Sequence, residues 1–276
     1  MNAKAYKMLK SYSDALAKNE RSSATIEKYT RNGKRFFDWI GERELSKELV
    51  IQWKATLTGA PSSINGEISA VNSLLVYLGH ADWKVRQVKT QRRTYRAKEK
   101  NLTKTEFERL VRTAEAQGNY RLARAIETIA ATGIRVSELR FITAESLAER
   151  EVTIQNKGKL RTILLTAELV KKLKAYCRQA GIRRGEVFVT RSGRSLARTQ
   201  IWAEMKKLCE AAGVEPGKVF PHNFRHLFAV VHYRLHKDIA KLADLLGHSS
   251  VNTTRIYLID TGEEHRRQLE AMHMVI

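Results

Sequence analysis

Residues 221–257 read PHNFRHLFAVVHYRLHKDIAKLADLLGHSSVNTTRIY, and the rest of the chain is organised around them. Pro221 suits the first position of a helix, so His222 and Arg225, three apart, fall on its opening turn. Leu245-Leu246-Gly247-His248-Ser249-Ser250 ends one amphipathic helix and starts another. Tyr257 follows nine residues after His248. An arginine, two imidazoles and a phenol are thus gathered on helices that share an apolar face.

That set of groups suits metal-free attack on a phosphodiester. Charge building on the non-bridging oxygens must be stabilised, the nucleophile must lose a proton, and the leaving oxygen must gain one. Arginine serves the first need, because its planar fork holds two phosphate oxygens and stays charged. A tyrosine can attack if a base or a positive field assists it, since its free pKa is about 10. Lysine or histidine can supply the leaving-group proton. The candidates are Arg135, Lys157, His222, Arg225, His248 and Tyr257. Arg135 and Arg225 lie 90 positions apart and meet over one phosphate only through the fold.

The bulk composition agrees. The chain has 276 residues and is 43% hydrophobic, enough for one large or two medium domains. Its formal charge is +21, which implies a polyanionic partner. Residues 1–100 carry a net +10 and residues 101–276 a net +11, so the charge is no detachable tail. No apolar run suits a membrane span, and the first residues lack the apolar core of a signal peptide. Cys177 and Cys209 sit in helix-like segments outside any CxxC, as reduced core residues of a cytoplasmic protein.

The spacing predicts helices over residues 3–18 (Tyr6, Leu9, Ala15 and Leu16 buried), from Ser22/Ser23 to Gly41, over 46–57, and on to Gly79, making an all-α domain of residues 1–83. Lys28, Arg31, Lys34 and Arg35 face outward from it. Residues 84–100 hold eight Lys/Arg against one Glu, which reads as an extended basic linker lying along DNA through Lys89, Arg92, Arg93 and Arg96. The second domain, 101–276, opens with a capping box at Thr103 and Glu106. A buried helix runs from Tyr120 to Gly133. A hairpin pairs 151–155 with 160–165, with Lys157 at or near its tip. A helix over 166–180, a short strand VFV at 187–189, a helix with Trp202 in the core and a last helix over 263–274 complete it. The fold class is mainly α with a small β-hairpin.

The chain resembles the tyrosine recombinases, the phage-integrase and Xer group. The resemblance rests on ATGIRVSEL at 131–139, NKGKLR at 156–161, PHNFRH at 221–226, LLGHSS at 245–250 and TTRIY at 253–257, in the family's order and spacing. It implies a C-shaped clamp of a four-helix core-binding domain and a mixed catalytic domain around double-stranded DNA with inverted half-sites. It assigns Tyr257 the attack that forms a 3′-phosphotyrosyl link, Arg135 and Arg225 the phosphate, Lys157 the leaving 5′-oxygen, His222 proton transfer and His248 a phosphate hydrogen bond. Glu138 supports the site from behind. No ATP, metal or other cofactor is implied. Two protomers per site and four per synapse are implied, either of this chain alone or with a paralogous recombinase, and the segment after Tyr257 would form the intersubunit contact through Leu269, Met272 and Val275.

The sequence departs from the family at Ile134 and Phe224, both apolar swaps. It also lacks the usual glycine within YRLHKDIAK. Lys159 rivals Lys157, which is preferred because it precedes Gly158. His222/His226 and His232/His236 have i, i+4 spacing, but without an HExxH motif or a third ligand no metal site is expected. Two other functions stay open: a DNA-binding accessory protein on a decayed recombinase scaffold, and a type IB topoisomerase.

Overall fold

The computed structural model describes residues 3–89, 101–156, 159–258, 266–267 and 269–274. The chain divides into two units, Met1–Arg92 and Arg93–Ile276. The first is built from α1 (Ala3–Lys18), α2 (Ser23–Ile40), α3 (Lys47–Ala55) and α4 (Pro61–Tyr77). Ser22 and Ser46 cap α2 and α3, each hydroxyl accepting a backbone N–H three residues on. Pro61 opens α4, where its missing N–H costs nothing. Phe36, Val50, Ile68, Val71, Leu74 and Leu75 form the centre of this core, and Phe36 meets Trp53 edge-on with centroids 5.0 Å apart.

The packing of α1 corrects one expectation. Tyr6 is 63% exposed, and Tyr12 is buried instead. The apolar stripe runs Ala5, Leu9, Tyr12, Leu16, in helical steps of four, three and four, and Tyr6 lies off it.

The start of the basic run is tied down. Asn72 on α4 donates from Nδ2 to the Val85 carbonyl at 2.9 Å and accepts from the Val85 N–H at 3.0 Å. Two turns earlier Asn65 treats Val88 the same way, at 3.0 and 2.8 Å. Between them Gln87 reaches Ser69 at 2.9 Å. One face of α4 thus supplies amide side chains that stand in for a neighbouring strand. Residues 90–100 lie outside the described residues.

The second unit is built around α6 (Tyr120–Thr132), which packs against α5 (Lys104–Ala116), α8 (Ala167–Gln179), α9 (Arg198–Ala212) and α10 (Pro221–His236). Ala123, Ala125, Ile126 and Ile129 of α6 have no accessible surface. The capping box at Thr103 and Glu106 is present. After a short α7 (Ser146–Glu149), strands β1 (Glu151–Asn156) and β2 (Lys159–Leu164) pair antiparallel, with Val152 opposite Ile163 and Ile154 opposite Arg161. Cys177 and Cys209 are free and buried.

Two details of this core differ from the sequence reading. Residues 187–189 form no strand; single bridges join Thr143 to Glu186 and Val189 to Ser195, while Val187 and Phe188 fill the core. Trp202 is 50% exposed, because the buried stripe of α9 runs Ile201, Met205, Leu208, Cys209, Ala212 and Trp202 lies one position off it. The turn that lacks glycine is made by Lys237 in the left-handed region, at φ 55°, a conformation costing a non-glycine residue about 1 kcal/mol. The chain then continues through α11 (Ile239–Leu246) and α12 (Val251–Arg255) to a 3₁₀ turn over Ile256–Leu258. Of the expected helix over 263–274, residues 263–265 and 268 lie outside the described residues; 266, 267, 269 and 270 are helical, and 271–274 are not, so the helix stops short of the expected end. Within that span Leu269 and Met272 are exposed.

Substituting Asn72→Ala removes both hydrogen bonds to Val85. We expect a loss of about 1–2 kcal/mol and roughly tenfold or faster amide exchange at Val85 in the full chain. Unchanged protection there would show that the α4 amides do not hold the segment.

Candidate active site

Two helix ends and one helix start converge on Arg225. Helix α6 ends at Gly133 and α11 at Gly247, both left-handed, with φ 65° and 64°. Glycine is needed at 133 for a second reason: a Cβ there would lie 2.5 Å from Cδ1 of Phe228, so α6 could not approach α10 so closely. The approach brings the Gly133 carbonyl to Arg225, in the first turns of α10. Nη1 of Arg225 donates to Gly133 O at 2.5 Å, and Nη2 donates to Leu246 O at 2.7 Å. Nη2 also lies 3.0 Å from Nε2 of His248. The guanidinium is 1% exposed. Both carbonyls belong to helix C-termini, where the dipole is negative, which offsets the cost of burying the charge.

These contacts fix the tautomer of His248. A guanidinium only donates, so Nε2 accepts and the proton sits on Nδ1. Nδ1–H then donates to the Thr254 hydroxyl 2.9 Å away. Thr254 is fully buried on α12. Burial, then the charges of Arg225, Arg135 and Arg161, push the His248 imidazole down to about 4, so it is neutral near pH 7. Burial and the nearby Arg135 bring Arg225 down to about 10, with the Tyr257 hydroxyl acting against them as a hydrogen-bond partner. Arg225 therefore stays charged.

Glu138 supports the other arginine. It is 1% exposed. One oxygen accepts the Arg135 backbone N–H at 2.7 Å, and the other accepts Nη1 of Arg135 at 2.9 Å. Burial alone would raise its pKa, but the Arg135 N–H and the charges of Arg161 and Arg135 outweigh this and hold the carboxyl below the usual range. The same carboxylate accepts Nη2 of Arg161 at 2.5 Å.

Tyr257 is 7% exposed. Its ring stacks on His248 at 5.6 Å and 12°, with His222 at 5.4 Å and His226 at 5.6 Å. It packs in a small cluster with Ala229, Leu242 and Leu246.

The structure thus brings Arg135, Glu138, His222, Arg225, His248 and Tyr257 into one place. Lys157 lies outside the described residues, as do Arg92, Arg93 and Arg96. Lys28, Arg31, Lys34 and Arg35 are exposed along α2, as is Lys89, and Arg35 reaches Glu67 at 3.7 Å. Sequence reading missed Arg161, Thr254 and His226 as members of the cluster. For Arg161 a signal exists: it alternates in register with Ile163 and Leu165, so a charge sits on the inward face of β2. Among the described residues no three His, Cys, Asp or Glu are grouped to hold a metal. Among them, too, no helix is long and apolar enough to cross a membrane.

Comparison with known proteins points one way. The model of the phage integrase family matches residues 100–264. The tyrosine recombinase XerD of Xanthomonas axonopodis pv. citri (strain 306) is 32% identical over 191 residues, 63% of this chain and 62% of that protein. The chain therefore spans under two thirds of that relative in the matched region. XerD of Vibrio cholerae serotype O1 is 26% identical over 273 residues, covering 90% and 89%. Among solved structures, XerH site-specific recombinase bound to difH substrate in a pre-cleavage complex shares the fold, with TM-score 0.71 at 19% identity over 98% of this chain and 84% of that one.

The His248 assignment has a solution test. By nitrogen-detected NMR we expect a neutral Nδ1–H imidazole that protonates only near pH 4, not near 6.5. Because the folded value lies below the unfolded one, the unfolded state binds more protons as pH falls from about 6.5. Stability should decline across that window. A His248 midpoint near 6.5 in the folded protein would contradict the geometry.

Proposed function

The chain belongs to the phage integrase family, tyrosine recombinases that break and rejoin DNA, and from that membership we propose that it recombines short DNA sites with inverted half-sites through a covalent tyrosyl intermediate. The observation that carries the proposal is the contact of one buried guanidinium, Arg225, with His248, on whose ring Tyr257 stacks.

In the proposed reaction Tyr257 Oη attacks the scissile phosphorus. The P–O bond to the 5′-oxygen breaks, leaving a 3′-phosphotyrosine and a free 5′-hydroxyl. His222, beside the ring, accepts the tyrosine proton, and Lys157 donates one to the leaving oxygen. Arg135 and Arg225 hold the non-bridging oxygens. A phosphodiester carries one negative charge and gains another as the phenolate attacks. Arg135, Arg161 and Arg225 against the Glu138 carboxylate leave two positive charges uncompensated, which matches that demand. Phosphate also cancels the field that keeps His248 from protonating, so His248 can turn from acceptor to donor toward a phosphate oxygen. Attack by a 5′-hydroxyl from a partner strand reverses each step, so neither ATP nor metal is required.

One tyrosine serves one strand. Exchanging both strands of two duplexes breaks four strands, so the proposed assembly has two protomers per site and four per synapse, of this chain or with a paralogue. The exposed bases of α2 and the basic run after Val88 would bind phosphates without sequence preference.

Covalent trapping tests the reading. We would incubate the protein with nicked suicide duplexes carrying inverted repeats taken from beside the gene. Wild type should form an adduct on denaturing gels and Tyr257→Phe none. Arg225→Lys should slow adduct formation by about 10²–10³-fold. A wild-type protein that binds such a duplex tightly and forms no adduct would overturn the enzymatic reading.

A further inference from the structure

We infer that Arg161 is a positioning residue of this site, a two-point bridge from the hairpin that holds Glu138 on one side and the α11–α12 turn bearing His248 on the other. The inference rests on the reading of the site as a phosphoryl-transfer centre and adds a member to it.

The geometry is specific. From β2, Arg161 donates through Nη2 to Glu138 Oε2 at 2.5 Å and through Nη1 to the Leu245 carbonyl at 3.3 Å. Leu245 is next to Leu246, whose carbonyl Arg225 holds. Two guanidiniums therefore cap the same helix end, one from each side. The turn is shaped to admit the second: a Cβ on Gly247 would lie 2.6 Å from Arg161 Cδ and 2.9 Å from its Nη1. Only 14% of the Arg161 side chain is accessible, so it is not placed as a free phosphate ligand. Its position on the inward face, beside Ile163 and Leu165, would be expensive for a charge that served no purpose there.

The consequence is mechanical and electrostatic. Arg161 lies four positions beyond Lys157 in the sequence and belongs, on β2, to the β1–β2 hairpin. It links that hairpin to the carboxylate that orients Arg135 and to the turn that orients His248. A shift of β2 is thus transmitted to both. The charges facing His248 are Arg225, Arg135 and Arg161, with the His222 imidazole also contributing. Arg161 thereby helps keep His248 neutral until phosphate arrives.

Two substitutions in the full-length protein separate these effects. Arg161→Met removes bridge and charge. We expect the His248 midpoint, followed by NMR without DNA, to rise by half a pH unit or more. Single-turnover adduct formation on the suicide duplex should fall at least tenfold, with duplex binding within about twofold of wild type. Arg161→Lys keeps the charge but lacks the fork. The His248 midpoint should stay near the wild-type value, while adduct formation still falls at least fivefold. Wild-type cleavage by Arg161→Lys would overturn the bridge, and this variant decides the matter if Arg161→Met does not fold. An unmoved His248 midpoint in folded Arg161→Met would overturn the electrostatic part. If wild type itself forms no adduct, the strand-cleavage reading fails, while the DNA-free titration still decides whether Arg161 acts on His248.

Discussion

A guanidinium withdrawn from water costs several kcal/mol unless its donors are met, and Arg225 meets that demand with carbonyls from two different helices. Gly133 O ends α6 and Leu246 O ends α11. Both helices stop in the same way, with a left-handed glycine that turns the last carbonyls toward a common point. The arginine comes from the start of α10, so a single side chain fixes where three helices meet. His248 is then held by the same group. A guanidinium has five N–H donors, and the two carbonyls and the imidazole take three. The remaining two are left for Tyr257 and for an anion. The scaffold and the proposed phosphate site are therefore one network, and no change to Arg225 can spare either.

The charges around this network oppose one another in a useful way. Burial, with Arg135 adding to it, lowers the basicity of both Arg161 and Arg225, and among the described residues Glu138 is the counter-charge paired with Arg135 and Arg161. The buried carboxylate stays ionised because three N–H donors point at it. It is spent on holding arginines, not on cancelling the site. What is left is an excess of positive charge in a poorly solvated place, a condition relieved by a phosphate. In the proposed reaction, ground-state repulsion among the arginines falls when substrate binds, and falls further as negative charge develops.

Much of this was legible in the sequence, and the rest was hidden for identifiable reasons. Helix ends were readable wherever a local device made them: the Thr103/Glu106 capping box, the Ser22 cap, Pro221 at a first turn, Gly133 and Gly247 at last turns. The convergence of Arg135, Arg225, His248 and Tyr257 came from the resemblance, since nothing local brings residues 90 apart together. Tyr6 and Trp202 were misjudged because an aromatic adjacent to an apolar stripe looks like a member of it. Residues 187–189 have strand composition, but fully buried apolar runs carry no period that separates strand from irregular core. The Asn65 and Asn72 ties were invisible because a side-chain amide that imitates a strand leaves no pattern in the segment it holds. Arg161 was visible in register but was absorbed into a basic motif, where one more arginine attracts no notice.

The placement of Tyr257 carries a last physical constraint. Helix α12 has five residues, and the 3₁₀ turn after it has three, far below the length at which a helix holds itself together in water. Its position therefore depends on tertiary contacts, of which two are identifiable. Thr254 accepts the His248 proton, and the Tyr257 ring fills the cluster of Ala229, Leu242 and Leu246. Burying a tyrosine ring contributes on the order of 2 kcal/mol, a large share of what so short a segment can gain. The residue proposed to attack phosphorus is thus also the anchor that keeps its own segment folded. Whatever draws Tyr257 out of the cluster loosens the segment, and whatever steadies the segment returns the hydroxyl to Arg225. Folding of α12 and presentation of the proposed nucleophile are therefore coupled, through a threonine, a histidine and a tyrosine within ten residues of chain.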